Sequence, residues 1–223
     1  MRAERCRRPS DRLDLSPGGY RSAYMLCVVV LAGCAAGGDD PSNDGVPSEP
    51  FTVRFETTEG PVDIEFVPEW SPLAAARVHE LAAIGFWEGA RIYRVNDRYA
   101  QFGYSGNPSL DSVWIPAGLP DEPTRASNTR GTVSFARGGP GTRSAILFVN
   151  RSDNTNLDEL PWNGVVGFPP VGRVISGMEA IDALHGGYGD APMQWEDSIA
   201  TVGNAFLDRA YPALDSIINV TIR

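Results

Sequence analysis

The sequence predicts a mainly β fold, a closed eight-stranded antiparallel β-barrel capped by two or three helices. Three observations predict it. Short runs alternate apolar with polar residues, the period of a strand with one buried face. Loops rich in glycine and proline separate the runs, with 24 Gly and 18 Pro in 223 residues. Only two or three stretches space their apolar residues as a helix does, the number needed to cap a barrel.

The elements follow in order from Phe51. Phe51, Val53 and Phe55 alternate with Thr52, Arg54 and Glu56; after Thr58-Glu59-Gly60, Val62, Ile64 and Phe66 alternate with Asp63 and Glu65. This predicts a hairpin. Ser71-Pro72 reads as an N-cap followed by proline at the first helical position. Leu73, Ala76, Leu81 and Ile84 then follow at helical spacing, and Gly85 ends the helix. Short strands are predicted over Arg91–Val95, Tyr99–Ser105, Thr132–Ala136, Ile146–Asn150 and Val171–Ile175. A second helix is predicted over Met178–Leu184, and a third within Asn204–Leu214, interrupted at Pro212. Ile217–Ile222 closes the barrel with Ile218, Val220 and Ile222 on one face. Ala76, Leu81, Ile84 and Met178 are expected to face the barrel's open ends. No repeat and no second core is evident, so 51–223 reads as one domain.

The residues before it read as targeting. Six arginines precede an apolar run, Ala23 to Ala32, about half the length that spans a bilayer. A charged start, a short apolar stretch and small residues before a cut fit a secretory signal over residues 1–33. Leu31-Ala32-Gly33-Cys34 resembles the bacterial lipoprotein box, which makes Cys34 the expected lipidation site. Residues 34–50, small, acidic and rich in Gly, Pro and Ser, read as a flexible tether. The expected location is the cell envelope, lipid-anchored on its periplasmic or extracellular face. The cysteines, Cys6, Cys27 and Cys34, all lie at or before that site, so the domain carries no internal disulfide.

The formal charge is −9, and every basic residue is arginine. Without residues 1–33, 13 arginines face 25 acids, giving −12. So acidic a domain has no footprint for nucleic acid and is repelled by anionic headgroups, leaving the N-terminal lipid as its membrane contact. It reads as a monomer. Several chemistries lack their residues. His79-Glu80 has no second histidine four positions on, and no Cys/His cluster offers a metal site. Gly138-Gly139-Pro140-Gly141 has no lysine to make a P-loop. Gly103-Tyr104-Ser105-Gly106 continues with Asn107 rather than completing a nucleophile elbow. No metal and no cofactor is expected.

Four segments, in order, resemble the cyclophilin family of peptidyl-prolyl isomerases. They are Phe51 to Phe86; Ile92-Tyr93-Arg94-Val95 with Tyr99-Ala100-Gln101-Phe102-Gly103; Gly131 to Pro140 running on to Leu147-Phe148-Val149-Asn150; and Leu157-Asp158 with Val171-Gly172-Arg173-Val174 and Gly177-Met178. The resemblance implies a cyclophilin-like barrel and Arg94 as the catalytic arginine. It places Tyr99, Phe135, Phe148 and Leu157 around the proline ring, with Ala136 and Arg137 along the peptide backbone. Phe102 is counted in the same substrate site, where the family usually has glutamine. Ile146 replaces a second glutamine, Asn156 the usual tryptophan, and Phe168 the usual rim histidine beside an insert, Glu159 to Gly164. The implied partners are proline-containing peptides or unfolded exported proteins. The implied activity is isomerisation of their X-Pro bonds by non-covalent means. The apolar replacements leave a second reading open, a proline-peptide binding module with weak or no turnover.

Overall fold

The computed structural model describes residues 47–223. The expected signal peptide, Cys34 and most of the expected tether lie outside the described residues. The strands are β1 (Phe51–Thr57), β2 (Gly60–Phe66), β3 (Arg94–Val95), β4 (Tyr99–Phe102), β5 (Thr132–Phe135), β6 (Leu147–Asn150), β7 (Pro161–Trp162), β8 (Val165–Val166), β9 (Pro170–Ser176) and β10 (Ile217–Ile222). The α-helices are α1 (Pro72–Ala83), α2 (Pro108–Trp114), α3 (Met178–Ala183), α4 (Glu196–Val202) and α5 (Asn204–Ala210).

Eight strands make one antiparallel sheet in the order β10-β1-β2-β9-β5-β6-β4-β3; β7 and β8 form a separate small hairpin. The expected mainly β, antiparallel, eight-stranded architecture is present, but the expected closure is not. The sheet is a curled half-barrel whose edges, β3 and β10, do not pair. The cause lies in Arg91–Val95, expected as one strand. Arg91 bridges to Ser216 on one side, while Arg94 and Val95 pair with Gln101 and Ala100 on the other. The segment changes partner between them, at Ile92 and Tyr93, and Tyr93 is buried in a hydrophobic cluster apart from the main core. Hydrogen bonds Ile92 N to Asp215 O (2.9 Å) and Ile217 N to Ala90 O (2.9 Å) tie the gap without completing a strand pair.

The hairpin follows its pattern. Val53, Phe55, Val62, Ile64 and Phe66 are buried. Arg54 and Asp63 stand opposite each other and make a two-pronged pair at 2.7 and 2.6 Å. β10 departs from its expected face. The register against β1 shifts between Glu56 and Thr57. That turns Ile217 inward beside Val220 and leaves Ile218 62 % exposed.

α1 starts at Pro72 as expected, but buries Ala74, Ala75, Val78, Leu81 and Ala82; Ala76 lies partly open, and Leu73 and Ile84 face solvent. The alanines form the contact because they let the helix lie close against the sheet. Ser71 occupies the cap position without capping, its Oγ donating to Pro170 O at 3.2 Å. The Glu122 carboxylate accepts instead from Leu73 N (2.8 Å) and Ala74 N (3.2 Å), meeting two helix-end donors that have no intrahelical partner. The fully buried Arg143 holds that carboxylate at 3.0 Å.

The main core fills the curl. Trp87 sits at its centre against Phe55 (5.8 Å), Phe86 (5.9 Å) and Phe102 (6.2 Å), and its Nε1 donates to Ala145 O at 3.1 Å. A second, smaller cluster joins Tyr93 and Tyr104 to Ile199 and Leu207, with Ile115, Ile146 and Met193 packed on it.

Candidate functional site

β4 and β6 are neighbours in the sheet, and their outer face floors a groove of about 550 Å³. Period-two alternation decides which side chains reach it. Tyr99 and Gln101 of β4 point into the groove with Phe148 of β6, while Ala100 and Phe102 point into the core. Ala136, Arg137, Leu157, Phe168 and the hairpin residue Trp162 complete one end. Gly103 sets the strand spacing beneath the site. Its φ is +147°, and a Cβ there would lie 2.3 Å from Ile146 Cα and 2.7 Å from Ala145 O.

Arg94 lines the groove. Its Nε donates to Asp190 Oδ1 at 2.6 Å and its Nη1 to Gln101 Oε1 at 3.1 Å. Its carbon stands 5.2 Å from the centre of the Tyr99 ring, a cation–π contact. Gln101 is fixed in turn, its Nε2 donating to the buried Tyr93 hydroxyl at 2.8 Å. Asp190 also accepts from Asn96 Nδ2 at 2.8 Å. The hydrogen bond from Arg94 holds the Asp190 carboxyl below its ordinary range. Burial pushes the Tyr93 phenol well up, so it stays a neutral hydroxyl.

An aromatic wall runs away from Arg94. Tyr99 meets Phe148 edge-on at 5.4 Å, and Phe148 meets Phe168 at 6.3 Å. The Arg137 guanidinium lies 4.7 Å from the Phe168 ring and pairs with Asp121 at 3.4 Å. It also donates to Gly167 O. It braces the wall rather than presenting a free cation, and burial pushes its pKa down. The Ala136 N–H is engaged with Ile146 O at 2.9 Å.

Of the residues expected at the site, the groove therefore brings together Arg94, Tyr99, Ala136, Arg137, Phe148 and Leu157. Phe102 and Phe135 lie elsewhere. Both are core residues, 5 % and 1 % exposed, and neither lines the groove. The amide expected to be lost with Phe102 is supplied one position earlier by Gln101.

The sequence profile described as cyclophilin type peptidyl-prolyl cis-trans isomerase/CLD matches residues 52–204. The chain belongs to this family. A probable peptidyl-prolyl cis-trans isomerase of Brucella abortus is 29 % identical over 178 residues, covering 74 % of this chain and 83 % of the relative. A peptidyl-prolyl cis-trans isomerase of Acinetobacter baylyi is 25 % identical over 134 residues, covering 59 % and 70 %. Among solved structures, a cyclophilin-type isomerase of Cryptosporidium parvum superposes with a TM-score of 0.56 at 19 % identity, covering 78 % of this chain and 98 % of that one.

Against that cyclophilin framework, three groove features escaped the sequence reading. Gln101 was passed over because alternation, not position in a motif, decides which residue faces the groove. The β7–β8 hairpin starts within the insert Glu159 to Gly164, for which no strand is expected, and ends just beyond it; it brings Trp162 and Asn163 to the rim, with Asn163 Nδ2 donating to Gly138 O at 2.6 Å. The segment from Asp190 to Glu196 contributes Met193 and Glu196, and no local pattern announces a side chain that reaches Arg94 from 96 residues away. Among the described residues no cluster of His, Cys, Asp and Glu is placed to hold a metal ion.

Proposed function

We propose that this cyclophilin isomerises X-Pro bonds by seating the prolyl ring against Tyr99, Phe148, Leu157 and Phe168 while Arg94 addresses the X-Pro amide. The observation that carries the proposal is the fixation of Arg94. Two of its nitrogens are held, by Asp190 and Gln101, and its face rests on Tyr99. Among the described residues its Nη2 has no hydrogen-bond partner, and Arg94 lines the groove.

The chemistry needs little else. Amide resonance opposes rotation by about 18–20 kcal/mol. Twisting the bond breaks conjugation and returns a lone pair to the prolyl nitrogen. A guanidinium held beside that nitrogen donates to it most strongly in the twisted state, so it stabilises the transition state above either planar form. A charged hydrogen bond contributes roughly 1.5–3 kcal/mol, which is about ten- to a hundredfold in rate. The apolar wall supplies the remainder by holding the ring while the preceding residue turns. A further structure of the Cryptosporidium protein was solved in the presence of the dipeptide Ala-Pro, which supports a proline peptide as the occupant of this groove.

One observation favours a second reading, a binding module with little turnover. Ile146 lines the groove where an amide was expected and offers no hydrogen bond to a peptide. A protease-coupled assay on a short Ala-Pro peptide decides between them. Accelerated release supports the isomerase; binding without acceleration supports the module. We further read the chain as a folding helper for exported proteins, lipid-anchored through Cys34. An acylated Cys34 at the mature N-terminus, seen by mass spectrometry, tests the anchor; an unmodified terminus downstream of residue 34 refutes it.

A further inference from the structure

The groove does not end at Arg94. The proline wall, Phe168 to Phe148 to Tyr99, reaches Arg94 from one side. Arg94 also meets Gln101, and Gln101 meets Tyr93 and Met193. There the groove is walled by Tyr104, Ile115, Ile146 and Met193, all part of the second hydrophobic cluster, and by Glu196 at the start of α4.

Glu196 is the anomaly in this lobe. It is a half-buried carboxylate in an apolar wall, and among the described residues nothing pairs with it. The nearby cation, Arg94, already has Asp190 as its carboxylate. A carboxylate taken partly out of water without a partner costs free energy that a cation from outside recovers.

We propose that this second lobe is a specificity subsite for a cationic side chain, lysine or arginine, carried by the substrate close to its proline. The proposal rests on the reading of the groove as a proline-peptide site. The shape of such a side chain fits the lobe: a stem of methylenes along Ile115, Ile146 and Met193, and a charged tip at Glu196. Ile146 then has a use that an amide would serve less well, because it is an apolar rail for the stem. The strongly acidic domain adds long-range attraction for the same substrates.

The test is a set of alanine-flanked X-Pro peptides in which one lysine is placed at each position on either side of the proline. Exchange NMR reads isomerisation and chemical-shift titration reads binding. Wild-type protein is expected to prefer lysine over alanine at one position by about fivefold in kcat/KM, about 1 kcal/mol, with the preference shrinking in high salt. Glu196→Gln should bring the ratio close to one, and Glu196→Lys should turn the preference towards aspartate peptides. Asp197→Asn removes the same charge from an exposed neighbour that does not line the groove, and should keep the ratio. Equal use of all peptides by the wild type, a preference that survives Glu196→Gln, or an equal loss with Asp197→Asn each overturns the subsite. No turnover of the alanine peptide overturns the isomerase reading instead, and lysine-dependent binding then still tests Glu196.

Discussion

Removing the Asp190 carboxylate separates the placing of Arg94 from the chemistry proposed for it. In Asp190→Ala, Arg94 Nε loses its 2.6 Å acceptor and Asn96 loses its own at 2.8 Å, while Gln101 still holds Nη1 at 3.1 Å and Tyr99 still supports the guanidinium face. The carboxylate is 62 % exposed. An exposed pair contributes at most about 1 kcal/mol, so Tm should fall by no more than about 2–4 °C. The same energy taken from the positioning of Arg94 lowers kcat/KM by about fivefold. Asp190→Asn keeps an acceptor for Nε and should recover part of the loss. Because Arg94 holds the Asp190 carboxyl below its ordinary range, the pair stays intact at every pH above the usual carboxylate value and breaks only as pH falls through the lowered one. The assay is exchange NMR on an Ala-Pro peptide with a thermal melt alongside. An Asp190→Ala loss as large as that of Arg94→Ala would mean that the carboxylate itself touches substrate. Unchanged turnover would mean that Gln101 and Tyr99 alone fix the guanidinium. Either result refutes the positioning role.

The two apolar replacements should respond oppositely when restored to glutamine. Phe102→Gln removes a ring packed on Phe55 (5.6 Å) and Trp87 (6.2 Å) and buries an amide without partners, so denaturant unfolding should show a loss of about 3–5 kcal/mol. Ile146→Gln places its amide in the open groove and should change stability by no more than about 1 kcal/mol. The lysine preference should fade on acidification above the usual glutamate value of about 4.3. Burial pushes Glu196 up and Asp197 reinforces the shift, against the opposing pull of Arg94. The ratio of lysine to alanine peptide turnover between pH 4 and pH 8 reads this directly.

Where one local rule decides the outcome, the fold was legible. The β1–β2 hairpin alternates strictly and folds accordingly, and Pro72 starts α1 where its missing N–H costs nothing. α2 was legible but missed: Asn107-Pro108 repeats the logic of Ser71-Pro72, and here the side chain does cap, Asn107 Oδ1 accepting from Ser109 N at 3.0 Å. Other features are settled by contacts distant in sequence. Closure fails because Arg91–Val95 serves two partners. β10 turns a different isoleucine inward because its register shifts at Glu56. The same division holds at the site. Arg94, Tyr99 and Phe148 could be placed from motif spacing, whereas Gln101 against Phe102 is a question of strand phase. Asp190 and Glu196 reach the groove from a segment whose position depends on how the second hydrophobic cluster packs.

Substitution of Arg94 tests its proposed catalytic role most directly. In a protease-coupled or exchange assay on an Ala-Pro peptide, Arg94→Ala should lower kcat/KM at least tenfold, about 1.4 kcal/mol at the transition state. Its melt should stay close to wild type, because an exposed pair with Asp190 contributes little stability. Arg94→Lys should recover little, since an ammonium cannot hold Asp190 and Gln101 and still present a planar donor to the amide. Peptide binding should persist in both variants, because Tyr99, Phe148, Leu157 and Phe168 remain. A wild type that accelerates isomerisation alongside an Arg94→Ala variant that does so equally well would rule out Arg94 as the catalytic residue.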